Sequence, residues 1–279
     1  MRIARDDAAP TRTSSFLAER RAVNVKQAAN VLDLIEFFAE RRRPAALAEI
    51  ARDLGWPRSS AFNLLGTLAA RGFLFEPSAR GGYYPSPLWS SLVQQIERAE
   101  PIPDVLRELL AALVERTGET AVLAATSGSS AVFLDAVESP HAIRYTARPG
   151  KLIPLHVTAT GRALLSLLAP ADRARVLARA SFERYTPTTL MSAAAVEKEI
   201  QRSVQRGFFE GAAEYTPDLG GVAMPLHVPH RRFAVLVAGP MSRVRSRTKE
   251  LATIVAEEME RRALGATPTA ATKRRGARP

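Results

Sequence analysis

Residues 47–68, LAEIARDLGWPRSSAFNLLGTL, constrain the fold most, because two apolar helical periods meet there across a short turn. Leu47, Ile50, Ala51 and Leu54 recur at the three-and-four spacing of one helical face, and Gly55 supplies a stop. Gly55-Trp56 forms the turn. Pro57 reads as the first residue of the next helix, where its missing N–H costs nothing. Ala61, Leu64, Leu65 and Leu68 then make the inward stripe, leaving Arg58, Ser59, Ser60, Asn63 and Thr67 on the opposite side. Arginine, serine and asparagine near a helix N-terminus are able to reach phosphates and base edges in a DNA major groove. Taken alone, these 22 residues fit an ordinary solvated helix pair equally well.

The residues that follow favour the DNA reading. Ala69-Ala70-Arg71-Gly72 end the helix, Phe73-Leu74-Phe75 has strand character, 76–82 is a turn and Tyr83-Tyr84 is the returning strand. A helix-turn-helix followed by such a hairpin is a winged helix, whose wing lies along the sugar-phosphate backbone, with Arg80 as the wing charge. In front, 25–42 places Ala28, Val31, Leu32, Ile35, Phe38 and Ala39 on one face, a helix able to cover the other two. The run Arg41-Arg42-Arg43 between these helices reads either as a phosphate contact, through Arg43, or as a solvated loop.

A chain of 279 residues exceeds one usual core, and 46% apolar content suits globular packing. The expected division is an N-terminal disordered arm at 1–22, a winged helix-turn-helix at 23–85, a linker helix at 86–102, a second domain at 103–265 and a disordered basic tail at 266–279. No run of 18 uncharged apolar residues occurs and the first residues lack a secretory apolar core, so the expectation is a cytoplasmic protein without membrane contact. The absence of cysteine excludes disulfides and thiolate metal sites. His141, His156, His227 and His230 have no metal-pair spacing and read as surface histidines. The net charge of +11 is uneven: +4 over residues 1–98, +1 over 99–260 and +6 over 261–279. The tail ending KRRGARP therefore adds either sequence-independent attraction to DNA or solubility alone.

In the second half, 105–117 is helical, 120–126 and 131–137 form a hairpin, and 143–147 and 152–155 add strand candidates. Helices follow at 160–168, 170–180 and 193–206. Strands at 221–226 and 232–238 flank a loop at 227–231, and a last helix runs from 246 to about 264. Hairpins with helices outside make an α+β domain on an antiparallel sheet. No Walker loop, nucleophile elbow or histidine pair occurs, and Asp135, Glu138 and Glu214 have no partner identifiable from sequence, so neither catalysis nor a cofactor or metal is expected. Ala159-Thr160-Gly161 opens a helix, whose free N–H groups either hold an anion such as a carboxylate or are simply capped.

The block LAEIARDLGWPRSSAFNLLGTLAARGFL, followed in order by GETAVLAA, VFLDAVES, RPGKLIPLHVTATGRALLS, YTPTTL, RGFFEGAAEY, GGVAMPL and AVLVAGPMSR, resembles the isocitrate lyase regulator (IclR) family of bacterial transcription regulators. The likeness extends from about residue 25 to about residue 263. It implies a winged helix joined by a linker helix to a GAF-like effector-binding domain, usually in a dimer or tetramer, whose small-molecule ligand alters binding to double-stranded operator DNA. The resemblance maps the ligand's acid group onto the backbone of Ala159 and Thr160. Where the best-studied family pattern has an acidic residue, a cysteine and two serines, this chain has Gly211, Gly221, Leu236 and Ala238. Without those polar groups a small 2-oxo acid loses the hydrogen bonds that offset its desolvation. The expected effector is accordingly a larger apolar carboxylate, aromatic or branched, touching Ile153, Leu236 and Ala238. The function implied is a repressor or dual regulator, not an enzyme; the alternative is a DNA-binding dimer whose second domain serves only oligomerisation.

Overall fold

The helical hairpin forms where the apolar period placed it, and its backbone shows why it turns. In the computed structural model, which describes residues 25–77, 81–99 and 102–265, helix α1 spans Lys26–Arg41, α2 Leu47–Asp53 and α3 Arg58–Ala70. The Glu49 carboxylate accepts from the Ala46 N–H at 2.9 Å, fixing the start of α2, and Gly55 at φ 67° reverses the chain after it. Pro57, expected as the first residue of α3, is instead its N-cap, at ψ 135°, so the helix begins one residue later, at Arg58. The expected arm at 1–22, Arg80 and the tail at 266–279 lie outside the described residues.

Strands β1 (Leu74–Phe75) and β2 (Tyr84–Pro85) pair antiparallel, Leu74 opposite Pro85 and Phe75 opposite Tyr84. Tyr83 also bridges Ala45, and a Cβ at Gly82 would overlap the Ala45 carbonyl, so this strand passes too close to the α1–α2 connection for any other residue. Helix α4, Leu88–Ala99, follows. The expected inner face of α1 is corrected: the structure buries Leu34 and Phe38, while Leu32 is 55% exposed and Ala28 and Ala39 face solvent. Two apolar stripes are available on α1. The small core, filled by Ile50, Leu65, Leu68 and Leu74, takes Leu34 in place of Leu32, while Phe38, common to both, packs edge-on against Tyr84 at 5.7 Å.

The chain divides into two compact units, up to Pro101 and from Ile102 onward. The second unit opens with α5 (Asp104–Thr117) and is built on six strands: β3 Thr120–Ser127, β4 Ser130–Val137, β5 Leu152–Pro154, β6 Phe209–Ala212, β7 Leu219–Val228 and β8 Arg231–Pro240. Every ladder is antiparallel, in the order β5-β4-β3-β8-β7-β6. Helices α6 (Ala159–Ser166), α7 (Pro170–Ala178) and α8 (Ala193–Arg206) lie between β5 and β6 in sequence. After β8 come α9 (Met241–Val244), a short 3-10 turn and α10 (Thr248–Arg261).

Ala121, Leu123, Val235 and Val237 face one cluster with α5 and α10, whereas Val122, Ala124, Ala234, Leu236 and Ala238 face another with α6 and α8. Both sheet faces are thus covered, and the central strands read as apolar runs rather than alternating ones. Residues 143–147 form no ladder, contrary to expectation; the Thr120 hydroxyl holds that segment through the Tyr145 carbonyl at 2.6 Å. Strand β6 was not foreseen, since FEGA is short and contains glycine. The expected loop at 227–231 lies mostly inside a hairpin ladder that pairs Val228 with Arg231 across the turn Pro229-His230. The last helix is broken before Thr248 rather than continuous from 246.

Glu119, 1% exposed, receives both Nε and an NH2 nitrogen of Arg243 at 2.7 Å. A Cβ at Gly239 would overlap this carboxylate, so β8 carries glycine where the ion pair crosses it. Arg243→Ala leaves a buried, unpaired carboxylate and should lower unfolding free energy by about 3–5 kcal/mol. Gly239→Ala should act through the same pair, so urea denaturation of the double variant should show less loss than the sum; full additivity would refute the coupling.

Candidate DNA-reading surface and effector cavity

Ala61, Leu65 and Leu68 of α3 turn into the first core, which leaves Arg58, Ser59, Ser60, Asn63 and Thr67 exposed together on the other side. Arg58 makes no ion pair among the described residues. Thr67 donates its hydroxyl proton to the Asn63 carbonyl at 2.7 Å, so outwardly it offers an acceptor. Arg43 is exposed in the connection between α1 and α2. Its neighbour Arg41 is structural: it pairs with Glu49 at 2.7 Å and Asp53 at 3.5 Å and lies over the Phe37 ring. The hydrogen bond from Ala46 and then the Arg41 guanidinium hold the Glu49 carboxyl below the usual carboxylate range.

In the second unit one cavity of about 460 Å³, its mouth included, is lined by all seven residues expected at the ligand: Ile153, Ala159, Thr160, Gly211, Gly221, Leu236 and Ala238. The register explains the space. Gly211 lies opposite Gly221, and Gly221 opposite Ala238, so one row across β6, β7 and β8 carries almost no side chain. At Gly221 this is obligatory, because a Cβ there would sit 2.5 Å from the Val237 carbonyl oxygen and 3.1 Å from Ala238. Helix α6 closes over the row. Gly161 brings it against the Leu155 backbone, where no Cβ fits, and Ala159 packs 3.5 Å from a Cβ position on Gly211.

The start of α6 supplies the cavity's polar end. Thr158 caps it, accepting from the Gly161 N–H at 3.0 Å and donating to the Pro154 carbonyl at 2.9 Å. The N–H groups of Ala159 and Thr160 begin the helix and have no acceptor within it. Thr160 is 1% exposed and its hydroxyl has no partner. Residues not foreseen complete the wall, among them Phe133, Tyr145, Glu214 and Tyr215. Burial, reinforced by Tyr215, pushes the Tyr145 phenol up to about 12, so it stays a neutral hydroxyl. Lys151 stands over the Tyr145 ring at 5.6 Å, its ammonium pushed down by burial.

Glu214 does have a partner. Its carboxylate takes an NH2 nitrogen of Arg162 at 2.9 Å and the Ala212 N–H at 2.8 Å, while Asp135 and Glu138 pair with Arg107 and Arg144. Arg162 is wholly buried, also donates to the Glu210 carbonyl at 2.7 Å, and leaves Nε and NH1 unpaired. His156 corrects the surface reading: it is 4% exposed, packs edge-on to Phe182 at 4.9 Å, and has an unpartnered Nε2. Sequence spacing could not separate it from His141, His227 and His230, which are exposed. No group of three potential metal ligands occurs among the described residues, and no described helix is long and apolar enough to cross a membrane.

Residues 94–261 match the family described as bacterial transcriptional regulator IclR C-terminal, and residues 27–76 the IclR helix-turn-helix domain. The chain belongs to the IclR family. It is 30% identical over 233 residues to the acetate operon repressor of Salmonella typhimurium, covering 80% of this chain and 84% of that one. The IclR structure from Thermotoga maritima superposes with a TM-score of 0.70 at 20% identity, over 86% and 98% of the two chains. An IclR homologue from Microbacterium hydrocarbonoxydans, solved in complex with 4-hydroxybenzoate, gives 0.60 at 19% identity over 85% and 100%. The chain is therefore a transcriptional regulator, not an enzyme, with a helix-turn-helix for operator DNA and a separate α+β domain.

Desolvation by burial, more than the opposing Glu183 charge, holds the His156 imidazole below its ordinary value, and Arg162 adds to the lowering. As pH falls the unfolded chain is the first to take up this proton. The contribution of His156 to stability is thus complete above about 6.5 and is lost as pH drops below it, until the folded imidazole also protonates. The melting temperature of wild type should fall between about pH 7.5 and about pH 5.5 more steeply than that of His156→Asn. Equal slopes would remove His156 as the source.

Proposed function

We propose that the cavity binds a carboxylate with an aromatic or branched apolar body, and that its occupancy controls how the helix-turn-helix engages operator DNA. The observation that carries this reading is the row Gly211-Gly221-Ala238, with Leu236 beside it, ending at the unpartnered Thr160 hydroxyl. A carboxylate at the start of α6 would accept from the Ala159 and Thr160 N–H groups and from that hydroxyl, with the helix dipole favouring the charge. The stripped row, Ile153 and Leu236 would take the apolar body. The complex of the Microbacterium homologue with 4-hydroxybenzoate is in keeping with this class. At the DNA, Arg58, Ser59, Ser60 and Asn63 meet base edges, while Thr67, Arg43 and the wing residue Arg80 serve phosphates. The chain works in the cytoplasm as a homodimer or tetramer, for which α4 offers an apolar face of Leu92, Val93 and Ile96, the last 71% exposed.

Ligand binding is tested by thermal shift and calorimetry on the whole chain. Benzoate-class or branched carboxylates should stabilise it by about 2.7 kcal/mol at one hundred times Kd, and glyoxylate and pyruvate should not. Tight binding of glyoxylate or pyruvate with none of the aromatic acids would overturn the assignment. Thr160→Val removes a buried hydroxyl that lacks a partner, so without ligand it should match or exceed wild-type stability, yet bind the carboxylate more weakly. A drop in stability with affinity intact would exclude Thr160 as a ligand contact.

Arg58→Ala and Asn63→Ala should each weaken operator binding by about 1–3 kcal/mol where the contact is bidentate, and relax base preference. Arg80→Ala should weaken all sequences alike. Specificity ratios equal to wild type in both α3 variants, measured at one salt concentration, would refute the base-reading role.

A further inference from the structure

Helix α3 presents two adjacent rows to solvent, Ser59-Asn63-Thr67 and Arg58-Phe62-Gly66. The first is polar throughout. The second holds two features that the packing of the unit does not account for. Phe62 is 61% exposed although it belongs to the same helix that fills the core with Ala61, Leu65 and Leu68. Gly66 stands inside the helix, where glycine is unfavourable, yet a Cβ there would meet nothing within 4 Å. Neither the core nor a neighbouring element calls for a phenyl ring at 62 or a missing side chain at 66.

We infer that Phe62 is a further specificity-determining residue that reads a thymine C5-methyl group in the operator major groove, with Gly66 letting the groove wall approach the helix beside it. Helical side chains lean toward the helix N-terminus, so the Phe62 ring inclines over the turn that holds Arg58 and Ser59. That end of a recognition helix is the one that meets base edges. Among groups displayed in the major groove the thymine methyl is the apolar one, and phenylalanine is among the side chains that contact it. A glycine one turn further along leaves space for close approach of a ligand to backbone. The row then joins a guanidinium suited to guanine, a ring suited to thymine and a gap, beside the hydrogen-bonding row of Ser59 and Asn63. This inference rests on α3 being the helix that enters the groove.

The test uses the full chain and an operator selected from a random duplex pool. Each thymine is replaced singly by deoxyuridine, which keeps every hydrogen-bonding group and removes only the methyl. Wild type should show a position in each half-site where uracil weakens binding about fourfold, the value of one buried methyl-sized group. Phe62→Ala should bind the thymine operator more weakly and no longer distinguish thymine from uracil there. Gly66→Ala should raise the melting temperature while weakening operator binding. The inference is overturned if no uracil substitution affects wild type, or if Phe62→Ala keeps the discrimination. It is likewise overturned if Phe62→Ala binds DNA unchanged but sediments as a smaller species, which would make Phe62 a contact with a second copy of the chain. Arg58→Ala separates this from failure of the groove reading: unchanged affinity there removes α3 from the groove, whereas a loss there without any uracil effect removes only Phe62.

Discussion

A sheet with helices on both faces has no solvent side, and the second unit depends on that constraint. Residues 120–124 of β3 and 233–239 of β8 are all buried, so each side chain has to fill space against α5 and α10 on one face or α6 and α8 on the other. Interiors of this kind are close-packed, and space within them arises only where side chains are withheld. Gly211, Gly221 and Ala238 withhold them in one row, and the cavity is the result. A polar residue at Gly221 would collide with the Val237 carbonyl, so the apolar character of this wall is fixed by backbone approach as much as by choice of side chain.

The same packing makes buried polar groups expensive unless they are paired. Glu119 is answered by Arg243 and Glu258 by Arg116, Arg261 and Arg262. For Glu258 burial pushes the carboxyl up, but Arg262 and Arg116 outweigh it and hold it low. Thr160, Arg162 and His156 are not fully answered, and they cluster at and behind the start of α6. Of these only Thr160 lines the cavity. Arg162 instead neutralises Glu214 in the cavity wall, which keeps a carboxylate near the proposed anion end from repelling it.

Local pattern was enough for the elements whose period is long or whose ends are marked. The helix at 193–206 has the bounds read from its apolar spacing, with Ser192 as its cap and Gly207 after it. The hairpin of α2 and α3 followed from Gly55 and the two stripes. Short or ambiguous signals failed. FEGA gave no strand signal because pairing with β7, not propensity, makes it one; residues 143–147 have strand composition but find no ladder. On α1 the expected and the buried face share Phe38, and only the packed core shows that Leu34 rather than Leu32 turns inward beside it.

Six cavity residues were reached from sequence through the family's block order and Ile153 through the expected apolar effector, but Phe133, Tyr145 and Tyr215 were not, since each comes from a different segment and carries no local mark. His156 was misjudged for a related reason: nothing in PLHVTAT distinguishes a buried histidine from an exposed one. What the sequence by itself determined is the helix-turn-helix hairpin, the longer helices and strands of the second unit and the lack of polar side chains at Gly211, Gly221, Leu236 and Ala238. These are properties of spacing and residue type along the chain. Only the tertiary structure decided that the stripped positions stand side by side, that Thr160 is left without a partner, and that Phe62 is exposed. Each of those depends on strand register or on which side chains already fill a core, and both are set by residues far apart in sequence.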